Sequence, residues 1–232
     1  KLQEEAKLSS AHATEEYNNM IDYYTVWAHQ IKTPIAAMQL SLQSEDTETA
    51  RKLTSDLNRI EEYVEMVLTF LRLDSDSTDY LIREYDLDGI IRTSVRKFSR
   101  EFILKKLTLD YKPVNYTVLT DEKWLTFVIE QIISNAVKYT TEGSVRIYMN
   151  EPGILCIEDT GIGISAEDLP RIFENGYTGF NGREDKRASG IGLYLCKRIT
   201  ENLGHTISAE SQPGRGTTII LDLTAARLVT DD

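Results

Sequence analysis

The apolar positions of this chain follow two different periods. Tyr17, Ile21, Tyr24, Ala28, Ile31, Ile35, Met38 and Leu42 alternate by four and three residues, the spacing of a helical seam that buries itself against a partner. Residues 1 to about 44 contain no glycine and only one proline, Pro34. The pattern therefore predicts one long helix with a looser first part. Ser44-Glu45-Asp46-Thr47 breaks it, and Asp46 or Thr47 can cap a second helix. That helix repeats the alternation at Leu53, Leu57, Ile60, Val64, Val67 and Leu71. A hairpin this thin cannot cover both stripes together with Trp27, Met66 and Phe70. A homodimer is the expected solution, a four-helix bundle built from residues up to about Leu73.

The run Asp74-Ser75-Asp76-Ser77-Thr78-Asp79 has nothing to pack and reads as a linker. Beyond it the period changes. Asp86 is placed to cap a helix from Leu87 to about Lys105, and short strands are expected at Leu107 to Tyr111 and Asn115 to Leu119, separated by Pro113. Asp121 opens an amphipathic helix ending at Tyr139, and strands follow at Ser144 to Asn150 and Gly153 to Glu158 across the turn Glu151-Pro152. A further helix runs from Gly190 to Asn202 and stops at Gly204. Strands at Thr206 to Glu210 and Thr217 to Leu223 flank the turn Pro213-Gly214-Arg215-Gly216. Helices interleaved with mainly antiparallel strands predict an α/β two-layer sandwich, so the fold class is α+β. The domains are expected at 1–75 and 84–232, with 76–83 linking them.

Composition narrows the partners. Of 232 residues, 41% are hydrophobic and 27% charged, ordinary values for a globular protein. The net charge of −11 and the lack of a Lys/Arg run disfavour a nucleic-acid partner. Cys156 and Cys196 sit in apolar runs with no cysteine or histidine at ligand spacing, and read as core residues of a reducing compartment. No stretch has the length and apolarity of a membrane span or signal peptide. The chain begins at Lys1 inside a charged helical pattern, as a piece of a longer protein would. A membrane anchor would then lie in a segment absent from it, leaving this chain the cytoplasmic portion.

One histidine stands out by its position. His29 follows the seam residue Ala28, so its imidazole lies at the margin of the stripe, displayed to solvent. Pro34 lacks an N–H and crowds the carbonyl one turn back, which is expected to bend or loosen the helix just after the histidine. The string Ala28-His29-Gln30-Ile31-Lys32-Thr33-Pro34 resembles the phosphoacceptor box of sensor histidine kinases, H-E-x-K/R-T/N-P. Gln30 departs from it. The acid usual at that position can help remove the imidazole proton, whereas an amide can orient but not accept it.

Three stretches of the second half have compositions that packing alone does not explain. Asn135 lies in Ser134-Asn135-Ala136-Val137-Lys138-Tyr139-Thr140, although asparagine is a middling helix former. Asp159-Thr160-Gly161-Ile162-Gly163-Ile164 follows a strand; a carboxylate there can accept from an exocyclic amine, and the glycines admit close backbone approach. Gly190-Ile191-Gly192-Leu193 opens a helix, whose first N–H groups suit phosphate. The non-periodic stretch Gly176 to Ser189 before it has the composition of a lid.

Together these resemble the N box, glycine boxes and, at Ile172 to Gly179 around Phe173, the F box of the ATP-binding fold shared by histidine kinases, gyrase, Hsp90 and MutL. The resemblance implies a two-layer sandwich that binds ATP and Mg²⁺. Asn135 would be the metal ligand, a hard oxygen for a hard cation. Lys138 would meet phosphate, and Tyr139 would lie beside the adenine. Asp159, Gly161 and Gly163 would hold the adenine end, Gly190 and Gly192 the phosphates, and Thr217, after Gly214-x-Gly216, would help hold the base. Gln131 stands where the family often has another asparagine or an acid.

By the same resemblance His29 receives the γ-phosphate and passes it to a response-regulator aspartate, with the linker bringing the ATP domain to it. Neutral imidazole, with a reference pKa of about 6.5, is a good nucleophile at neutral pH. Thr33, one turn after His29, corresponds to the position that orients water for dephosphorylating the regulator. The spelling His29-Gln30-x-Lys32-Thr33-Pro34 with Gly176-Tyr177-Thr178-Gly179-Phe180-Asn181-Gly182-Arg183 resembles small Gram-positive sensor kinases that work with peptide-antibiotic transporters. Two readings stay open beside the kinase: a degenerate module that dimerises and holds nucleotide, and an ATPase that never labels itself.

Overall fold

The computed structural model describes residues 2–45, 47–73, 80–179 and 189–224, with side chains from Glu15 onward except that of Asn18. The chain divides into two compact units, Lys1–Asp79 and Tyr80–Asp232.

The first unit is a helical hairpin of α1 (Leu2–Gln43) and α2 (Glu48–Leu73). α1 passes through Pro34 without a break. Of the two cap candidates, Thr47 does the work, its Oγ1 accepting from the Ala50 amide at 3.0 Å; Asp46 lies outside the described residues. Ala28, Val64 and Leu68 form the small core, with Tyr24 and Ile31 packed against it. Polar contacts fix the register of the two helices. Lys32 pairs with Glu65, Gln39 Nε2 donates to Asn58 Oδ1 at 2.9 Å, and the Tyr17 hydroxyl donates to the Leu71 carbonyl at 2.9 Å.

Within one chain only half of the seam is filled. On α2, Ala50, Leu57 and Val64 are 2%, 8% and 7% exposed, whereas Leu53, Ile60 and Val67 are 47%, 46% and 44% exposed. Both sets recur every seven residues, offset by three. The same split appears on α1 between buried Ile35 and exposed Met38.

The second unit runs β1 (Arg83–Asp86), α3 (Leu87–Lys97), α4 (Ser99–Lys105), β2 (Thr108–Tyr111), β3 (Thr117–Thr120), α5 (Glu122–Tyr139), β4 (Ser144–Glu151), β5 (Ile154–Asp159), a 3₁₀ turn (Leu169–Arg171), α6 (Gly192–Asn202), β6 (Thr206–Gln212) and β7 (Gly216–Asp222). The main sheet has the order β2-β4-β5-β7-β6. Only β2 and β4 are parallel; the other pairs are antiparallel. α5 packs between α3 and α6 and against β5. Leu125, Ile129, Ile132 and Ile133 of α5, Ile147, Leu155, Ile157 and Leu221 of the sheet, and Leu195 and Ile199 of α6 are all fully buried.

Two local features differ from the sequence pattern. The helix expected over Leu87 to Lys105 is interrupted at Phe98, whose φ of −98° and ψ of 8° end α3 and open α4. Phe98 and Phe102 are both buried, and the break lets the two rings pack. The strand β1 has no apolar alternation to announce it; it exists because Arg83 to Asp86 pair with Thr120 to Thr117 of β3 in a separate two-stranded sheet. The expected caps are present: Asp86 accepts from the Asp88 and Gly89 amides, and Asp121 accepts from the Trp124 amide and also from that of Leu81.

His205, just after the Gly204 turn, is 2% exposed. Its Nε2 lies 3.2 Å from Thr120 Oγ1, and its Nδ1 is buried without a partner. Burial pushes its pKa below the ordinary imidazole value, partly opposed by the nearby Asp222 carboxylate. Between the depressed folded value and about 6.5 the unfolded chain binds the extra proton, so stability falls as the pH drops through that window, by at most about 1.4 kcal/mol per pH unit. His205→Leu is expected to flatten this acid-side loss in thermal melts taken from pH 7 to pH 5.

Candidate functional site

On α1, Ala28 is 1% exposed while His29, Gln30 and Thr33 are all exposed. The imidazole thus stands outside the seam, one residue from its best-buried member. The Thr33 hydroxyl donates to the His29 carbonyl at 3.0 Å, tying it to the backbone one turn back. Three residues on from His29, Lys32 pairs with Glu65 of α2.

The second unit gathers most of its predicted residues around the end of β5. Asp159 closes that strand; its side chain is buried, and Oδ1 accepts from the Gly161 amide at 2.8 Å. The register of β5 with β7 sets Thr217 directly across from it. The loop after Asp159 is gripped from both sides. Ile162 N donates to the Tyr139 carbonyl at the end of α5 (3.3 Å), and the Gly214 amide of the β6–β7 turn donates to the Ile162 carbonyl (2.7 Å). Gly163 has φ +68°, and a Cβ on it would lie 2.0 Å from the Gln212 carbonyl oxygen, so no other residue fits.

Asn135, Lys138 and Tyr139 occupy the last turns of α5 and are half-buried. The Lys138 ammonium sits 4.9 Å from the centroid of the Tyr139 ring, within cation–π range. Gly190 has φ +69°, and a Cβ there would come within 2.5 Å of the Gly176 carbonyl carbon. Its own carbonyl accepts from the Gly176 amide at 3.0 Å. The two ends of the expected lid are therefore joined, while its middle, 180–188, lies outside the described residues. Gly192 begins α6, and the preceding Ile191 provides no side-chain cap, which leaves the first amides of the helix to other acceptors. Phe173 is half-buried.

Sequence reasoning missed Ser211. Its hydroxyl donates to the Gly216 carbonyl, accepts from the Ile164 amide and lies 2.9 Å from Thr217 Oγ1. It fastens the glycine loop to the β6–β7 hairpin. The only signal was a serine preceding a Pro-Gly turn, too common to single out. A second unpredicted pair of contacts ties the start of that expected lid to the 3₁₀ turn and the residue before it: the Tyr177 hydroxyl donates to Asp168, and the Arg171 guanidinium lies 4.2 Å from the Tyr177 ring centroid.

Burial raises the pKa of Asp159, opposed by the backbone amides of Gly161 and Thr217, while nearby Glu158 adds to the rise. A carboxylate has about four acceptor positions, so those two amides leave room for a further donor. An amine N–H is a donor of the kind such an acceptor can take. Among the described residues no three His, Cys, Asp or Glu side chains converge on a metal site. The Asn135 amide oxygen is a hard donor of the kind that suits Mg²⁺ carried on phosphate oxygens.

The family described as "Histidine kinase-, DNA gyrase B-, and HSP90-like ATPase" matches residues 120–227. The sensor histidine kinase YxdK of Bacillus subtilis is 34% identical over 218 residues, covering 90% of this chain and 66% of the relative. The chain belongs to the sensor histidine kinases. The sensor histidine kinase GraS of Staphylococcus haemolyticus is 37% identical over 202 residues, covering 85% of this chain and 59% of the relative. The chain thus spans about two thirds or less of the length of these sensor histidine kinases. Among solved structures, full-length ShkA in complex with AMPPNP superposes with a TM-score of 0.62 at 23% identity over 88% of this chain and 46% of ShkA, a likeness of fold.

The Asp159 site makes a prediction in which binding and stability part company. Between the ordinary Asp value and its raised folded value the native state holds the extra proton, so an ionised Asp159 lowers stability as the pH rises through that window. Asp159→Asn, whose amide oxygen can still accept from Gly161, is expected to melt no lower than wild type at pH 7. Loss of a hydrogen bond to a charged acceptor should weaken ATP by about 10- to 150-fold in calorimetry.

Proposed function

We propose that this chain is the kinase core of a sensor: it autophosphorylates His29 from ATP and hands the phosphoryl group to an aspartate on a response-regulator receiver domain. The observation that carries the proposal is the exposure of His29 beside the buried Ala28, in a chain that belongs to a family of histidine kinases.

In the first step an imidazole nitrogen of His29 attacks the γ-phosphorus. A P–N bond forms, the P–O bond to the β-phosphate breaks, and ADP leaves with that electron pair. The imidazole proton passes to water or a neighbouring base, because Gln30 cannot accept it. Catalysis of such a transfer is mostly positioning and charge neutralisation. Asp159 and Thr217 would hold the base, Gly161 and Gly163 bring the backbone close to it, and Tyr139 flanks it. Gly190, Gly192 and Lys138 would meet phosphates. Mg²⁺ bound with the triphosphate, with Asn135 as its protein ligand, would supply charge neutralisation. In the second step the P–N bond breaks as an aspartate oxygen of the regulator takes the phosphoryl group. Thr33 would orient a water that hydrolyses the regulator's aspartyl phosphate, releasing inorganic phosphate in a separate phosphatase activity.

The hairpin is proposed as a homodimerisation and phosphoacceptor domain, and the half-filled seam at Leu53, Ile60 and Val67 supports that reading. No described helix is long and apolar enough to cross a membrane; any membrane attachment would come from a segment absent from this chain. Gln30 in place of an acid favours one second reading, a degenerate nucleotide-binding dimer that transfers no phosphate.

Incubation with γ-labelled ATP separates these readings on one gel. The kinase reading predicts acid-labile, base-stable label that is absent in His29→Gln. Label that survives in that variant removes His29 as acceptor, and ATP hydrolysis without label supports a plain ATPase. Asn135→Ala is expected to abolish the Mg²⁺ dependence of nucleotide binding.

A further inference from the structure

Lys105, the last residue of α4, lies outside every stretch that resembles a nucleotide-binding box. Its residue is exposed overall, yet its ammonium turns onto the end of α5. Nζ donates to the carbonyls of Val137 at 2.6 Å, Lys138 at 3.1 Å and Thr140 at 3.1 Å. An ammonium has three N–H bonds, and all three are used. Burial accordingly pushes its pKa below the usual lysine range.

The end of α5 is thereby fully accounted for. The Ala136 carbonyl accepts from the Thr140 amide at 3.1 Å, and the Tyr139 carbonyl accepts from Ile162 at 3.3 Å. Lys105 takes the remaining three. A helix C-terminus exposes carbonyls that need partners, and a cation there also meets the negative end of the helix dipole. The local chain is shaped for this contact. Lys106 adopts φ +55°, the sole non-glycine residue with positive φ among those described, and Leu107 N returns to the Phe102 carbonyl at 2.9 Å. That turn ends α4 with Lys105 facing α5.

The Tyr139 carbonyl, fixed between two of the carbonyls that Lys105 holds, is also the surface against which Gly161 packs: a Cβ on Gly161 would lie 2.5 Å from it. The Gly161 amide in turn holds Asp159 Oδ1. A continuous path of short contacts therefore runs from Lys105 through the end of α5 to the Asp159 carboxylate. We propose that Lys105 is a positioning residue for purine selection: by locking the last turn of α5 it sets the aim of Asp159, and so the preference for a 6-amino purine over a 6-oxo purine. This inference rests on the proposed ATP site.

The test is ATP and GTP affinity of the full chain by calorimetry at fixed Mg²⁺, for wild type, Lys105→Met, Lys105→Arg and Asp159→Asn, each checked by thermal melting. Lys105→Met is expected to weaken ATP on the order of tenfold, as a misaimed hydrogen bond to a charged acceptor would, with GTP unchanged. Lys105→Arg, which keeps a cationic donor, is expected to retain most of the ATP preference. An unchanged ATP-to-GTP ratio in Lys105→Met, or equal weakening of both nucleotides, overturns the inference. If Lys105→Met does not fold, Lys105→Gln takes its place with an intermediate ratio expected, and a wild-type ratio there is equally fatal. If Asp159→Asn weakens ATP while the Lys105 variants do not change the ratio, only the positioning role fails; if Asp159→Asn leaves ATP unchanged, the nucleotide site itself fails.

Discussion

The rest of this structure depends on a seam that one chain can only half fill. Along α2, Ala50, Leu57 and Val64 are buried in the hairpin, and Leu53, Ile60 and Val67, each three residues further on, are left nearly half exposed. Full burial of an aliphatic side chain is worth about 1.5–3 kcal/mol, so the second set represents apolar surface still able to stabilise a larger assembly. The same geometry that keeps Ala28 inside keeps His29 out. Shifting the seam by one residue would bury the imidazole and expose the core, so packing and chemistry are fixed by a single choice of helical register.

In the second unit the governing constraint is close backbone approach. The loop after Asp159 is gripped by the Tyr139 carbonyl on one side and the β6–β7 turn on the other, and it leaves no room for a Cβ at Gly163. A buried carboxylate with its charge disfavoured by desolvation is an expensive feature to keep. Here it is held in place by two amides while retaining acceptor capacity. The hydrophobic layer of α5 against β5 supplies the rigidity that keeps these polar groups aligned.

Much of this was legible in the sequence because it depended on local rules. The four-three alternation located both long helices, Asp86 and Asp121 announced their helices as caps, and the glycines near Asp159 and Gly190 marked the places where a Cβ has no space. The features that escaped were those decided by distant partners. Arg83 to Asp86 form a strand only because β3 lies beside them. Phe98 breaks a helix to pack its ring. Ser211 and Lys105 act through backbone atoms far away in sequence, and neither residue type carries a local signal of that role. The half-filled seam was readable as a need for more walls, but which members of the stripe face inward required the hairpin's own register, set by Lys32 with Glu65 and Gln39 with Asn58.

The central claim, that the hairpin is half of a paired stem whose open seam is closed by a second copy, is tested most directly by sedimentation equilibrium of the full chain beside the double variant Ile60→Glu, Val67→Glu. The account predicts two copies per particle for the wild type and one for the variant, with the melting of the second unit unaffected. A wild-type chain that sediments as a single copy at every concentration, or a variant that still pairs, would contradict it.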